Sequence, residues 1–226
     1  MLAVLLLPEV ALRAEVYDPV PLPRPRPAVS ASEQASAASA TFGQGASRPA
    51  PATSEAGVLA NISSYFNSFR TMQGEFIQIG PQGQQSEGVF FISRPGKIRF
   101  QYKPPVRLDV ISDGRSVAIE DKKAKTQELY PYSKTPLRYL LDDRVDLTNR
   151  KLVDGVKQEA DLISLVIIEK SSLVEGKLTL IFDRQTYELR QWIVTDAQGL
   201  DTSVAIFNTR TGIRPDPNLF RIYLQR

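Results

Sequence analysis

The chain has 226 residues and a formal net charge of +3, which allows one ordinary domain plus further sequence. It contains no histidine and no cysteine, which excludes Ser-His-Asp and Cys-His catalysis, disulfides and Cys/His zinc sites. Its charges are interspersed, as in Asp121-Lys122-Lys123 and Asp142-Asp143-Arg144, so the basic stripe of a nucleic-acid protein is missing.

Met1 to Leu7 is almost wholly apolar, Pro8 follows, and small residues recur at 11–14. Residues 1–14 are expected to be a signal-peptide-like segment, either a remnant or one whose start lies upstream. The run is far shorter than the roughly 20 apolar residues of a membrane span. In residues 15–57, Pro19, Pro21, Pro23, Pro25 and Pro27 alternate with other residues, and Ser and Ala then dominate. That composition favours an extended, Pro/Ala/Ser-rich linker that cannot offset its ordering entropy. A folded domain is expected over 58–226.

Val58, Ile62, Tyr65, Phe66 and Phe69 recur at three- and four-residue spacing, the pattern of an amphipathic helix. After Arg70 the period falls to two. Strands are expected at 73–79, 87–93, 97–103, 106–112, 115–121 and 124–130, separated by Pro81-Gln82-Gly83, Pro95-Gly96, Pro104-Pro105 and Asp113-Gly114. Residues 135–141 suit a short helix with Pro136 in its first turn. Strands resume at 162–169, 176–183, 187–195, 201–209 and 219–224. Short connections imply antiparallel neighbours, and eleven such strands must curl toward a barrel.

One strand face is apolar and aromatic. It nominates Phe76, Phe91, Ile98, Phe100, Tyr102, Leu108, Val110, Leu178, Leu180, Phe182, Trp192 and Val194 as walls of the barrel interior. That interior is either filled by side chains or leaves room for an apolar guest. Arg94, before Pro95, is either an exposed turn residue or a polar latch whose guanidinium donors hold carbonyls of a covering helix. Asp142-Asp143 and Glu159 with Asp161 repeat no metal-ligand spacing and have no partner base. No phosphate-binding glycine loop is present, so neither an enzyme nor a cofactor is expected.

The run Glu87-Gly88-Val89-Phe90-Phe91-Ile92-Ser93-Arg94-Pro95-Gly96-Lys97-Ile98-Arg99-Phe100-Gln101-Tyr102 resembles the signature hairpin of the LolA-type outer-membrane lipoprotein carriers. Ser112-Asp113-Gly114-Arg115 follows at similar spacing. Thr135-Pro136-Leu137-Arg138-Tyr139-Leu140-Leu141 is similar to the lid helix of that family, and Asn218-Leu219-Phe220-Arg221-Ile222 resembles its closing strand. The resemblance implies an unclosed antiparallel barrel of about eleven strands with a helical lid. The lid residues would be Ile62, Phe66, Phe69, Leu137, Leu140 and Leu141. It further implies a periplasmic, monomeric carrier. Such a carrier takes triacylated lipoproteins from an inner-membrane ABC releasing complex to an outer-membrane acceptor or to the outer membrane itself. Arg94 would tie the lid shut and Ile98 would sit at the mouth. The rival expectation is a lipid- or lipoprotein-sensing module of envelope stress.

Overall fold

The computed structural model describes residues 53–135, 138–148, 153–169 and 176–224. Helix α1 spans Glu55–Asn67. The Ser54 hydroxyl caps it by accepting from the Gly57 N–H at 3.2 Å, and Glu55 places a negative group at the positive end of the helix dipole. Val58, Leu59, Ile62, Ser63 and Phe66 form its buried face. It stops at Ser68, whose N–H and hydroxyl both return to the Tyr65 carbonyl, at 3.1 and 2.7 Å.

Six strands follow, β1 Thr71–Ile79, β2 Gln85–Ser93, β3 Lys97–Tyr102, β4 Leu108–Asp113, β5 Ser116–Asp121 and β6 Thr126–Pro131. A 3₁₀ turn, Tyr132–Lys134, and the four-residue helix α2, Arg138–Leu141, lead to β7 Val153–Gln158, β8 Leu162–Glu169, β9 Gly176–Asp183, β10 Leu189–Thr195 and β11 Asp201–Thr211. All eleven belong to one antiparallel sheet of order β6-β5-β4-β3-β2-β1-β11-β10-β9-β8-β7. The two meanders join where β1 pairs with β11, and β6 and β7 are the edges. The fold is thus mainly β, an unclosed antiparallel barrel. No helix among the described residues is long and apolar enough to cross a membrane.

Glycine decides how the inner face packs. Gly88 stands opposite Phe76, and Gly74 opposite Phe90. A Cβ on Gly88 would lie 2.7 Å from the Phe76 ring, and one on Gly74 would lie 2.9 Å from the Phe90 ring. Each ring therefore rests on bare backbone. Phe76 in turn meets Phe100 and Tyr102 edge-on, at 5.0 and 4.9 Å between ring centres.

The strand pattern departs from expectation in three places. The segment expected as a strand at 219–224 is instead the 3₁₀ turn Pro217–Phe220 followed by irregular chain. Pro215 and Pro217 remove two ladder donors, and the Asp216 carboxylate caps the turn by accepting from the Asn218 N–H at 2.9 Å. This segment lies on the convex face. Phe220 is buried there, Arg99 donates to the Leu219 carbonyl at 3.2 Å, and Gln127 donates to the Tyr223 carbonyl at 2.8 Å. The strand β7 was not expected, because Val-Asp-Gly-Val-Lys-Gln has no apolar alternation; it is a half-exposed edge strand with a register shift between Val153 and Gly155. The helix expected at 135–141 is shorter, at Arg138–Leu141, and Pro136 and Leu137 lie outside the described residues.

Candidate functional site

The concave face of the sheet and the two helices enclose an apolar pocket. It is lined by Tyr65, Phe66 and Phe69 from the α1 side, by Leu140 and Leu141 of α2, and by Met72, Phe90, Ile92, Ile98, Phe100, Leu178, Leu189, Trp192 and Ile206 of the sheet. Its volume is about 670 Å³ with the space open at its mouth counted, and between the aromatic rings it is narrow. Phe66 meets Phe182 edge-on at 5.9 Å, and Trp192, the one tryptophan of the chain, meets Phe100 at 5.8 Å. The α1 side chains thus occupy the barrel themselves.

The nominated wall residues divide. Ile98, Phe100, Leu178 and Trp192 line the pocket. Phe76, Tyr102, Leu108, Val110, Leu180 and Phe182 are buried on the inner face as packed core, and Val194 packs against them half-buried. Phe91 is a correction. It pairs in register with Arg99, on the convex face, while Phe90 pairs with Phe100 and points inward. The inner face of β2 carries Gly88, Phe90 and Ile92, and the glycine erases the alternation that would have chosen between the two adjacent phenylalanines. Of the nominated lid residues, Phe66, Phe69, Leu140 and Leu141 line the pocket, Ile62 is buried under α1, and Leu137 lies outside the described residues. Tyr65, Met72, Phe90, Ile92, Leu189 and Ile206 were not nominated, although Tyr65 already showed in the helical periodicity.

Two hairpin tips bring Arg94 under both helices. Gly96, at φ +72°, lies against Gly114, at φ +93°, so closely that a Cβ on Gly96 would stand 2.8 Å from the Gly114 Cα. The Gly96 carbonyl accepts from the Ser112 hydroxyl at 2.7 Å, and its N–H donates to the Leu141 carbonyl at 2.8 Å. Arg94 is buried, at 7% exposure. Its Nη1 donates to the carbonyls of Phe66 and, at 3.3 Å, of Phe69; its Nε donates to the Asp142 carbonyl at 2.8 Å; its Nη2 donates to the Asp143 carbonyl at 3.1 Å and to Asn67 Oδ1 at 3.3 Å. The Phe66 carbonyl belongs to the last turn of α1, where a helix leaves acceptors unsatisfied, and those of Phe69, Asp142 and Asp143 lie in the chain just after α1 and α2. The cation also lies 6.0 Å from the Phe69 ring centre. Burial, and secondarily the charge of Arg70, lowers its pKa from the usual arginine value, yet a guanidinium stays charged in a protein.

Further bonds fasten α1 to the chain after α2. Asn67 donates to the Val145 carbonyl at 2.8 Å and accepts from the Val145 N–H at 3.0 Å. The Ser63 hydroxyl accepts from the Leu147 N–H at 3.0 Å. Arg70 forms an ion pair with Asp143. Burial, followed by the nearby Asp142 charge, raises the Tyr132 phenol to about 12, and its hydroxyl is buried without a partner among the described residues. No group of three metal-ligating side chains occurs among the described residues.

The structural class is an open antiparallel half-barrel whose apolar hollow is covered by helices pinned through one buried arginine. The chain belongs to the LolA family: the family model described as outer membrane lipoprotein carrier protein LolA matches residues 67–223. The chain is similar to the outer-membrane lipoprotein carrier protein of Methylococcus capsulatus, with 27% identity over 170 residues, 72% of this chain and 81% of that protein. With the outer-membrane lipoprotein carrier protein of Chromohalobacter salexigens it shares 28% over 174 residues, 71% of this chain and 81% of the relative. Among solved structures, it is similar to a LolA superfamily protein of Nitrosomonas europaea, with 10% identity, a TM-score of 0.40 and coverage of 73% of this chain and 96% of that one. It is likewise similar to the MucA/MucB complex of Pseudomonas aeruginosa, with 15% identity, a TM-score of 0.45 and coverage of 74% and 60%.

Proposed function

We propose that this protein is a periplasmic carrier that shelters the acyl chains of triacylated lipoproteins in the hollow under α1. It receives them from an inner-membrane ABC releasing complex and surrenders them to an outer-membrane acceptor or to the outer membrane. The observation that carries this reading is the guanidinium of Arg94, which holds the ends of both covering helices by neutral carbonyls above an apolar pocket. Family membership and the names of the relatives support it.

The energetics suit reversible loading. Lifting α1 uncovers Val58, Leu59, Ile62 and Phe66, at about 1.5–3 kcal/mol each. That cost, about 6–12 kcal/mol in all, is close to the roughly 12 kcal/mol gained by burying one sixteen-carbon chain. With one chain sheltered in the hollow, cargo and lid are near-equal competitors for the same surface, so neither state is a trap. The lid's return to its carbonyl contacts helps drive release.

The test is purification of the protein from a bacterial periplasm, with mass spectrometry of what accompanies it, beside the Arg94→Leu variant. Triacylated lipoprotein is expected with both, and the variant is expected to transfer it to an acceptor more slowly because its closed state is weaker. Parent-like transfer by the variant would refute the latch, and a chain that carries nothing apolar would refute carriage.

A further inference from the structure

Beside the latch, where β1 begins and β2 and β11 end, lies a second recess of different chemistry. It is open, about 930 Å³ with continuous solvent counted, and is lined by Ser68, Phe69, Arg70, Thr71, Ser93, Arg94, Thr211, Gly212 and Arg214. Three of these residues are cations and none is a carboxylate. Gly212, at φ +78°, turns the chain after β11 and donates its N–H to the Thr71 carbonyl at 3.1 Å, which sets Arg214 at the rim. Arg214 has no hydrogen bond or ion pair among the described residues, and neither do the hydroxyls of Thr71, Ser93 and Thr211. Arg70, exposed, is shared with Asp143, itself exposed.

We propose that this recess binds a phosphate-bearing anion, its oxygens held by Arg214 and Arg70 and by the hydroxyls of Thr71, Ser93 and Thr211. Paired guanidinium forks match the geometry of phosphate, and hydroxyls donate to its remaining lone pairs. Phe69 borders both this recess and the apolar pocket. An anion seated here lies next to the entrance for acyl chains, which suits the headgroup of an anionic phospholipid as well as free phosphate. It also competes with Asp143 for Arg70, and so loosens one of the ties on the chain that follows α2.

The full chain is titrated calorimetrically with inorganic phosphate, against chloride at matched ionic strength, and floated with vesicles of phosphatidylglycerol or of phosphatidylcholine. The variant Arg214→Ser is compared with the parent, and Lys123→Ser, in the turn between β5 and β6, serves as the remote control. Saturable phosphate binding that falls about tenfold or more in Arg214→Ser and is unchanged in Lys123→Ser supports the site with phosphate itself as sufficient ligand. Flotation with phosphatidylglycerol alone, lost in Arg214→Ser, supports the site with the lipid headgroup as its ligand. Parent-like behaviour of Arg214→Ser in both assays, equal losses in the two variants, or no binding in either assay overturns it. Neither assay reads acyl cargo, so this outcome is separate from that of the carrier reading.

Discussion

At the residue scale, the Arg94 guanidinium joins the end of α1 to the chain after α2. A hydrogen bond to a charged group is worth about 1.5–3 kcal/mol, so Arg94→Leu is expected to weaken the closed state about ten- to hundredfold. Trp192 fluorescence under the lid would register this as a red shift in the empty protein. Alkaline titration gives a second prediction. Burial, eased by a hydrogen bond to the Leu189 backbone and reinforced by Glu188, raises the Tyr65 phenol to about 12. Below the ordinary tyrosine value near 10, both folded and unfolded chains keep this proton, and the contribution to stability is complete. Between about 10 and 12 the unfolded chain releases it first, so stability falls as pH rises. Urea midpoints measured at pH 9 and pH 11 should therefore diverge less in Tyr65→Phe than in the parent. Gly88 tests the floor of the barrel, since a Cβ there meets the Gln101 carbonyl at 2.1 Å and the Phe76 ring at 2.7 Å. Gly88→Ala should lower stability by about 1–3 kcal/mol or more in thermal melts. The local sequence left Arg94 open between an exposed turn residue and a latch, because its burial under the helix ends depends on tertiary packing. It could not choose Phe90 over Phe91, because that choice depends on which side of Gly88 the sheet curls.

At the scale of elements, the lid is a composite. The α1 helix supplies the apolar body, and the chain after α2 supplies the bolts. Asn67 and Val145 meet twice, at 2.8 and 3.0 Å, and the protein has no cysteine of its own. Cysteines placed together at 67 and 145 should clamp α1 when oxidised, abolish uptake of a fluorescent acyl probe, and restore it on reduction. Equal uptake in the two redox states would show that α1 need not move. The periodicity of α1 was plain in the sequence because its apolar face is uninterrupted. Strand β7 was hidden because an edge strand needs no buried face. The segment after β11 read as a strand because Leu219, Phe220 and Ile222 are apolar, yet Pro215 and Pro217 deny it a ladder and it packs over the convex face instead. The count of eleven strands was right through two compensating errors, at 153–158 and 219–224.

At the scale of the molecule, the unclosed sheet is firmest at its middle and weakest at its margins. β1 pairs on both sides, while β6 and β7 each leave one row of backbone groups without a strand partner among the described residues. Both margins are largely exposed and polar, and Pro131 ends β6, features that discourage pairing with another sheet. Hydrogen exchange should be slowest in β1, β2 and β11 and fastest in β6 and β7. A uniform exchange profile would contradict a sheet that opens from its margins. General architecture was legible from the two-residue period and short turns alone. How much of the hollow is filled was not, because it depends on how the rings of α1 and the inner strands settle against one another.

The pairing of β1 with β11 has a consequence for how the chain reaches this shape. Nine of the ten strand pairings join neighbours in sequence; only this one unites segments more than 120 residues apart, as in the match of Met72 with Thr211. Each meander can zip up from its own hairpins, but the final seam must await a long loop closure, the slow class of event in β proteins. The rate of acquiring the native state is therefore expected to be set at a single line down the centre of the sheet, the same line from which Met72 and Ile206 line the apolar pocket.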